Sequence, residues 1–192
     1  AVYKVGVVFE PNFLGFLGIS YITFKAVQVL IEIRDGLICE VKTWHYLYFL
    51  SFFPTFTSGP ILRSRPFEAN MTDTLSRDAY LELLLRGAGW FAVGALYKFV
   101  IAPLAQWLMW FGPAAIGTST GGAFAATQLV YAFAYGLYLF FDFAGYSHMA
   151  MGVGYALGVD VPRNFRAPFC ATDIKDFWNR WHISLSSWLR DF

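Results

Sequence analysis

The fold class is decided by the stretch AFAATQLVYAFAYGLYLFFDFAGYSHMAMGVGYALGV, residues 123–159. Asp142 is its only carboxylate, and it contains no lysine or arginine. A helix that crosses a membrane needs about 20 predominantly apolar residues. This stretch exceeds that length, so we expect a spanning helix that begins near Ala123 and runs to about Met149 or beyond.

The composition of the whole chain is that of a membrane protein. Of the 192 residues, 57% are hydrophobic, 20% are aromatic and 14% are charged, which is typical of a chain with several apolar spans. The net charge is +1 and no basic run is present, which disfavours nucleic-acid binding. We expect an all-α, multi-spanning helical membrane protein with roughly four to six membrane-embedded helices.

Residues 1–192 are expected to form part of a single transmembrane domain that is truncated at both ends. Residue 1 is alanine, and the first residues lack the basic start and apolar core of a cleavable signal peptide. Lysine and arginine are spread over several loops, so the charge pattern leaves the orientation in the membrane open.

A second apolar stretch, residues 13–33, carries a narrow polar stripe. Lys25, Gln28 and Glu32 are spaced at i, i+3 and i+7, which places them on one face of a helix. Ionisable side chains within a membrane normally face protein or water. We therefore expect this stripe to face the interior of the protein or a polar cavity.

Two further stretches are interrupted by glycine or proline. Residues 44–56 are aromatic but too short to span comfortably, which fits a tilted or re-entrant half-span. Residues 81–110 form a span or a pair of half-spans, in which Gly87, Gly89 and Gly94 allow close helix approach. Pro103 is expected to kink this segment.

Asp142 shares a helical face with hydroxyl and amide side chains. At 100° per residue a narrow sector contains Gln128, Tyr131, Tyr135, Tyr138 and Asp142. A carboxylate in a membrane span is costly unless it is paired or hydrated, so the whole face should be internal. Two roles remain open for Asp142: it lines a substrate path, or it pins a neighbouring helix through buried hydrogen bonds. His148 falls near the lipid or partner side and is assigned no chemistry.

The last residues, FWNRWHISLSSWLRDF at 177–192, place a histidine within a tryptophan-rich stripe. If they form one helix, its apolar side contains Trp178, Trp181, His182, Leu185, Trp188, Leu189 and Phe192. The opposite side contains Arg180, Ser184, Ser187 and Asp191.

Apolar surroundings make His182 a candidate base. Loss of hydration disfavours the charged imidazolium, which should lower the pKa of His182 and keep it neutral near pH 7. The alternative is a structural histidine that donates one hydrogen bond and locks two packed segments together. The residues themselves leave both roles open.

Several other site types have no support in the sequence. Cys39 and Cys170 stand far apart, without CxxC spacing or a neighbouring histidine pair, so we predict neither a disulfide framework nor a metal site. A P-loop, a GxGxxG turn and a GxSxG elbow are absent from the sequence, and no bound cofactor is expected.

Three segments resemble the membrane-bound O-acyltransferase superfamily: residues 52–67 (FFPTFTSGPILRSRPF), residues 138–159 and residues 164–192. Together with residues 18–36 (GISYITFKAVQVLIEIRDG), the first segment looks most similar to the branch that transfers D-alanine to teichoic acids. A neighbouring branch, the alginate O-acetyltransferases, shares blocks like those around Asp142 and His182.

The resemblance implies an acyl transfer from a thioester to a hydroxyl, in a multi-pass protein of the bacterial cytoplasmic membrane. His182 then matches the histidine of the family's W-H-x-S-L-S block and is the candidate catalytic residue. Asn179 or Arg180 would supply polar contacts, and Trp181 would help to cage the imidazole. Tyr138 and Asp142 are the expected support on the substrate path, and the family's second histidine would follow Phe192.

The same resemblance implies the partners. The donor is a small acyl carrier protein that bears D-alanine on its phosphopantetheine arm, and the acceptor is a membrane lipid or teichoic acid on the outer side. A different class also remains open, because Lys25, Arg86 and Asp142 could form the route of a transporter without covalent chemistry. The histidine block favours the acyltransferase, since a transporter has no evident need for it.

Overall fold

The computed structural model describes residues 19–57, 59–116 and 122–192, and every regular element in these ranges is helical. The α-helices are α1 (Ile19–Arg34), α2 (Thr43–Ser51), α3 (Ser64–Thr72), α4 (Arg77–Leu96), α5 (Ala102–Ile116), α6 (Gly122–Ala156), α7 (Ile174–Arg180) and α8 (Ile183–Asp191). Short 3-10 turns cover Phe53–Thr55 and Pro168–Cys170. The all-α prediction is confirmed for the described residues.

Two helices in these ranges are long and apolar enough to cross a membrane, Arg77–Trp110 and Phe124–Ala156. The second confirms the predicted helix and extends it past Met149 to Ala156. The first is one continuous helical stretch that contains a π-helical segment. The number of membrane-embedded helices, four to six, stays a prediction. Residues 13–18 of the first predicted span lie outside the described residues.

The two long helices touch backbone to backbone through glycine. A Cβ atom on Gly94 of α4 would lie 2.6 Å from the carbonyl oxygen of Gly145 on α6. A Cβ atom on Gly87 would lie 2.8 Å from the carbonyl oxygen of Gly152. These distances leave no room for a methyl group, which confirms the predicted close approach at Gly87 and Gly94. The prediction is wrong for Gly89, where a Cβ atom would meet no neighbouring element within 4 Å.

A π-helical segment, Tyr97–Ile101, joins α4 to α5. It ends where the amide of Ala102 donates to the carbonyl of Tyr97, five residues earlier. Pro103 follows at once and has no amide hydrogen to donate, and its ring would crowd the preceding turn of an α-helix. The wider π-helical turn accommodates Pro103. The helix irregularity that was expected at Pro103 therefore lies in the turn just before this residue.

The polar stripe of α1 is buried, as predicted. Lys25, Gln28 and Glu32 are all at most 3% exposed. The Nζ of Lys25 donates to the carbonyl oxygen of Phe49 at 3.0 Å and to Oγ1 of Thr55 at 3.3 Å. The Ser64 hydroxyl donates to the Glu32 carboxylate. The stripe thereby fastens α1 to the segment that contains α2 and α3.

The polar face of α6 that was expected to be internal is at least partly buried only in the C-terminal half of the helix. Tyr131 and Tyr135 are exposed, and Gln128 is exposed as well. The prediction of a wholly internal stripe is therefore wrong for these three positions among the described residues. His148, which was predicted to face lipid or a partner, is 7% exposed and packs against Trp90.

The glycine contact provides a matched test of the fold. Gly94→Ala should destabilise the protein by about 1–3 kcal/mol, because the new methyl group overpacks against the backbone of α6. Gly89→Ala is the control, since no atom lies within 4 Å of a Cβ atom built there. Thermal unfolding in detergent measures both. Equal midpoints for the two variants would contradict the close-contact assignment.

Candidate functional site

His182 lies at a break between two helices and not within one. α7 ends at Arg180 and α8 begins at Ile183, so the single helix predicted over residues 177–192 is wrong. His182 adopts a left-handed conformation with φ of 46°. A non-glycine residue in this region costs of order 1–3 kcal/mol and persists only where its surroundings impose it.

The break changes which side chains are buried. Ser184, predicted to lie on the polar side, is 4% exposed, whereas Trp178, predicted on the apolar side, is 55% exposed. The reason is that the left-handed residue reorients α8 relative to α7, so a common helical wheel does not apply. Trp188 is buried as expected.

The break is held by the loop between α6 and α7. The amide of Ile183 donates to the backbone carbonyl of Asn164 at 2.9 Å. The amide of Arg166 donates to the carbonyl of Arg180 at 3.0 Å. Hydrogen bonds from one loop thus fix the chain immediately before and after Trp181 and His182.

The imidazole of His182 is half-buried against one aromatic ring. Its centroid lies 5.0 Å from that of Phe143 on α6, with the two planes at 76°. Its Nδ1 is buried and finds no hydrogen-bond partner among the described residues. Burial lowers the pKa of His182 below its ordinary value, because the charged form loses hydration. A neutral imidazole can accept a proton.

The expected tryptophan cage is absent around His182 in the described part of the chain. The Trp181 ring lies 5.2 Å from Phe165, stacks on Phe177 at 5.5 Å and lies 5.8 Å from Phe140 of α6. Both consecutive residues thus reach α6, but at different side chains: Trp181 contacts Phe140, whereas His182 contacts Phe143. Trp181 therefore anchors the break, and its contacts do not include the imidazole.

Asp142 forms an ion pair that the sequence did not suggest. Its Oδ1 lies 2.5 Å from Nζ of Lys98, which belongs to the π-helical segment. The close approach of Gly94 and Gly145 brings the two helices together beside this pair. The available signal was that Lys98 is the only charged residue between Arg86 and Trp110 in the sequence. A lysine within a membrane span normally has a partner inside the protein.

An open cleft of about 330 Å³ adjoins the ion pair. Its walls are formed by Tyr21, Lys98, Asp142, Phe143 and Tyr146. Phe143 also contacts the ring of His182, so one side chain joins the cleft to the candidate base. Asp142 therefore binds a neighbouring helix through Lys98 and lines this cleft. Its place on a substrate path stays a prediction.

The comparison with known protein families assigns this helical arrangement. Residues 16–192 match the model of the MBOAT, membrane-bound O-acyltransferase family. The chain belongs to the membrane-bound O-acyltransferase family. It is accordingly a membrane protein, in agreement with its two long apolar helices.

Curated proteins of two kinds are similar in sequence to this chain. A teichoic acid D-alanyltransferase of Bacillus subtilis is 45% identical over 94% of this chain and 45% of the relative. One of Streptococcus thermophilus is 45% identical over 94% of this chain and 44% of the relative. A probable alginate O-acetylase of Pseudomonas syringae is 33% identical over 92% of this chain and 33% of the relative. The chain thus spans less than half of each.

The remaining sequence-predicted site residues do not gather around His182. Asn179 is exposed on α7. Arg180 forms an ion pair with Asp176, with Nε 2.8 Å from Oδ1. Its guanidinium makes no hydrogen bond with the imidazole of His182 in the described ranges. Tyr138 is half-buried on α6, one helical turn before Asp142. Their contribution to a site stays a prediction.

No group of three or more potential metal-binding side chains occurs in the ranges that the structure describes. Cys39 and Cys170 are exposed free thiols.

The ion pair can be tested by a double-mutant cycle. Asp142→Asn should lower the free energy of unfolding by about 1–3 kcal/mol, because it leaves a partly buried lysine without its counter-charge. Lys98→Met should have a similar effect. The double variant should be more stable than the sum of the two losses predicts, as measured by thermal unfolding in detergent. Strictly additive losses would show that the two side chains do not interact.

Proposed function

We propose that the protein transfers D-alanine from a carrier-protein thioester to a hydroxyl acceptor during teichoic acid modification. The observation that carries this proposal is the 45% identity with teichoic acid D-alanyltransferases over 94% of the chain. The alginate O-acetylase relatives support O-acetyl transfer less well, at 33% identity. Residues 1–192 would form part of a single multi-pass domain in the bacterial cytoplasmic membrane.

The proposed donor is D-alanine held as a thioester on the phosphopantetheine arm of an acyl carrier protein. The proposed acceptor is a hydroxyl group of a teichoic acid or its membrane lipid. Neither group has to remain bound to the protein between turnovers. Membership of an acyltransferase family supports this reaction class over the transporter considered from the intramembrane charges.

His182 is the proposed general base. Its neutral imidazole accepts the proton of the acceptor hydroxyl as the oxygen attacks the thioester carbonyl. The C–S bond then breaks, and the departing sulfur takes up the proton, so the products are an ester and a free thiol. Burial beside Phe143 supports this role because it keeps the imidazole uncharged and limits access of competing water.

The left-handed backbone conformation at His182 suggests two substitutions that remove the imidazole without adding backbone strain. Glycine and asparagine both tolerate this conformation, so His182→Gly and His182→Asn should fold with little added strain while lacking the base. D-alanine transfer from the loaded carrier protein should fall by about 100-fold or more, the usual contribution of a general base. The assay uses membranes that contain the intact protein at matched expression.

His45→Asn is the matched control, because His45 is another half-buried histidine but belongs to α2. It should retain transfer. Wild-type rates with both His182 variants would overturn the catalytic role of His182. Transfer of acetyl groups alone by the wild type, with no use of the D-alanyl donor, would instead favour the O-acetyltransferase alternative.

The pH dependence has a definite sign. The pKa of His182 lies below the ordinary value of about 6.5, and protonation removes the base. The midpoint of the acidic fall in kcat/KM should therefore lie below about pH 6.5, with transfer close to its full rate at about pH 7.5. Rate profiles of the wild type and His182→Asn over pH 5–8 measure this. An acidic limb centred above pH 7 would contradict a buried neutral base.

A further inference from the structure

The side chain of Asn164 is completely buried, and both its nitrogen and its oxygen form hydrogen bonds. It is 0% exposed and lies in the loop between α6 and α7. Its Nδ2 donates to Oγ of Ser147 on α6 at 3.3 Å. Its Oδ1 accepts from both the amide, at 3.3 Å, and the hydroxyl, at 2.5 Å, of Ser184 on α8. One amide group thus bridges a long apolar helix and the first turn of α8.

The backbone of Asn164 adds a second attachment. Its carbonyl oxygen accepts from the amide of Ile183, so Asn164 binds the two residues that directly follow His182. The hydroxyl of Ser184 in turn accepts from the amide of Ile61 at 2.9 Å. The start of α8 is therefore fixed from two directions by buried hydrogen bonds, each of which is costly to break.

The orientation of the imidazole depends on this backbone. No side chain among the described residues hydrogen-bonds Nδ1 of His182, so the usual orienting partner of a histidine base is missing there. The ring direction is set by its contact with Phe143 and by the left-handed backbone conformation. That conformation is unfavourable for histidine unless its neighbours impose it.

We infer that Asn164 is a positioning residue for His182: its carbonyl and amide groups hold residues 183 and 184 so that the imidazole is aimed beside Phe143. This inference rests on the proposed catalytic role of His182. It assigns to Asn164 no contact with substrate. Ser147 is the outer anchor, which holds the amide of Asn164 in the orientation that Ser184 requires.

Removal of the amide should damage the chemical step and not substrate binding. Asn164→Ala should lower kcat for D-alanine transfer by about 100-fold, the loss typical of a reactive group displaced by about 1 Å, and should leave KM within about twofold. Ser147→Ala removes only the outer hydrogen bond and should cause a smaller loss, of about threefold to tenfold. Asn70→Ala is the control, because Asn70 is an asparagine on α3 whose side chain bonds only within that helix.

A double-mutant cycle of Asn164 and His182 distinguishes a positioning role of Asn164 from a general structural role. In the His182→Asn background, where no imidazole remains to be aimed, Asn164→Ala should cause almost no further loss of the residual rate. The same fold-loss in both backgrounds would overturn the inference, since it would mean that Asn164 acts independently of His182. Ser147→Ala supplies the same comparison if Asn164→Ala does not accumulate in membranes.

The two proposals fail in different ways. Full transfer by His182→Asn would overturn the catalytic role and, with it, the positioning role. Loss of transfer in His182→Asn combined with wild-type kcat in Asn164→Ala would overturn the positioning role alone. A raised KM with unchanged kcat in Asn164→Ala would also overturn it, because that result assigns Asn164 to binding.

Discussion

The close backbone contact between α4 and α6 is the constraint on which the rest of the site depends. Gly94 and Gly145 let the two helices approach until only hydrogen atoms fit between them. At that separation a lysine on the π-helical segment reaches Asp142 directly. A wider spacing would leave each of the two charges without its partner, which is costly within a membrane-spanning helix.

The same contact explains why the π-helical segment lies where it does. One extra residue per turn rotates the following helix, so the segment sets which face of α5 meets α6. Pro103 cannot continue the standard hydrogen-bond pattern, and the wider turn absorbs that defect before it reaches the contact. Local backbone chemistry and helix packing thus specify the same geometry.

Periodicity predicted the elements whose helical hydrogen bonding is regular along their length. The apolar run that became α6 and the buried stripe of Lys25, Gln28 and Glu32 follow directly from helical spacing, because both lie on regular helices. The fold class and the family resemblance were therefore accessible from the sequence. The importance of the W-H-x-S-L-S block was accessible too, although its geometry was not.

The helix break at His182 could not be predicted, since it depends on Asn164, which is distant in the sequence. A helical wheel assumes continuous hydrogen bonding, and no local signal such as glycine or proline marks the interruption. Lys98 was missed for a related reason: its partner lies on another helix, and spacing within one helix does not reveal contacts between two. Trp181 and His182 were grouped by periodicity, whereas the break places their rings against different side chains of α6, Phe140 for Trp181 and Phe143 for His182.

The buried Lys25 side chain contributes to the C-terminal end of helix α2. The last carbonyl groups of any helix lack partners within that helix, and α2 ends at Ser51 in a part of the chain rich in aromatic side chains. The ammonium group of Lys25 meets the carbonyl of Phe49 in the last turn of α2. A buried side chain therefore takes the place of solvent at one of the last carbonyl groups of α2, and this helix ends without a glycine cap.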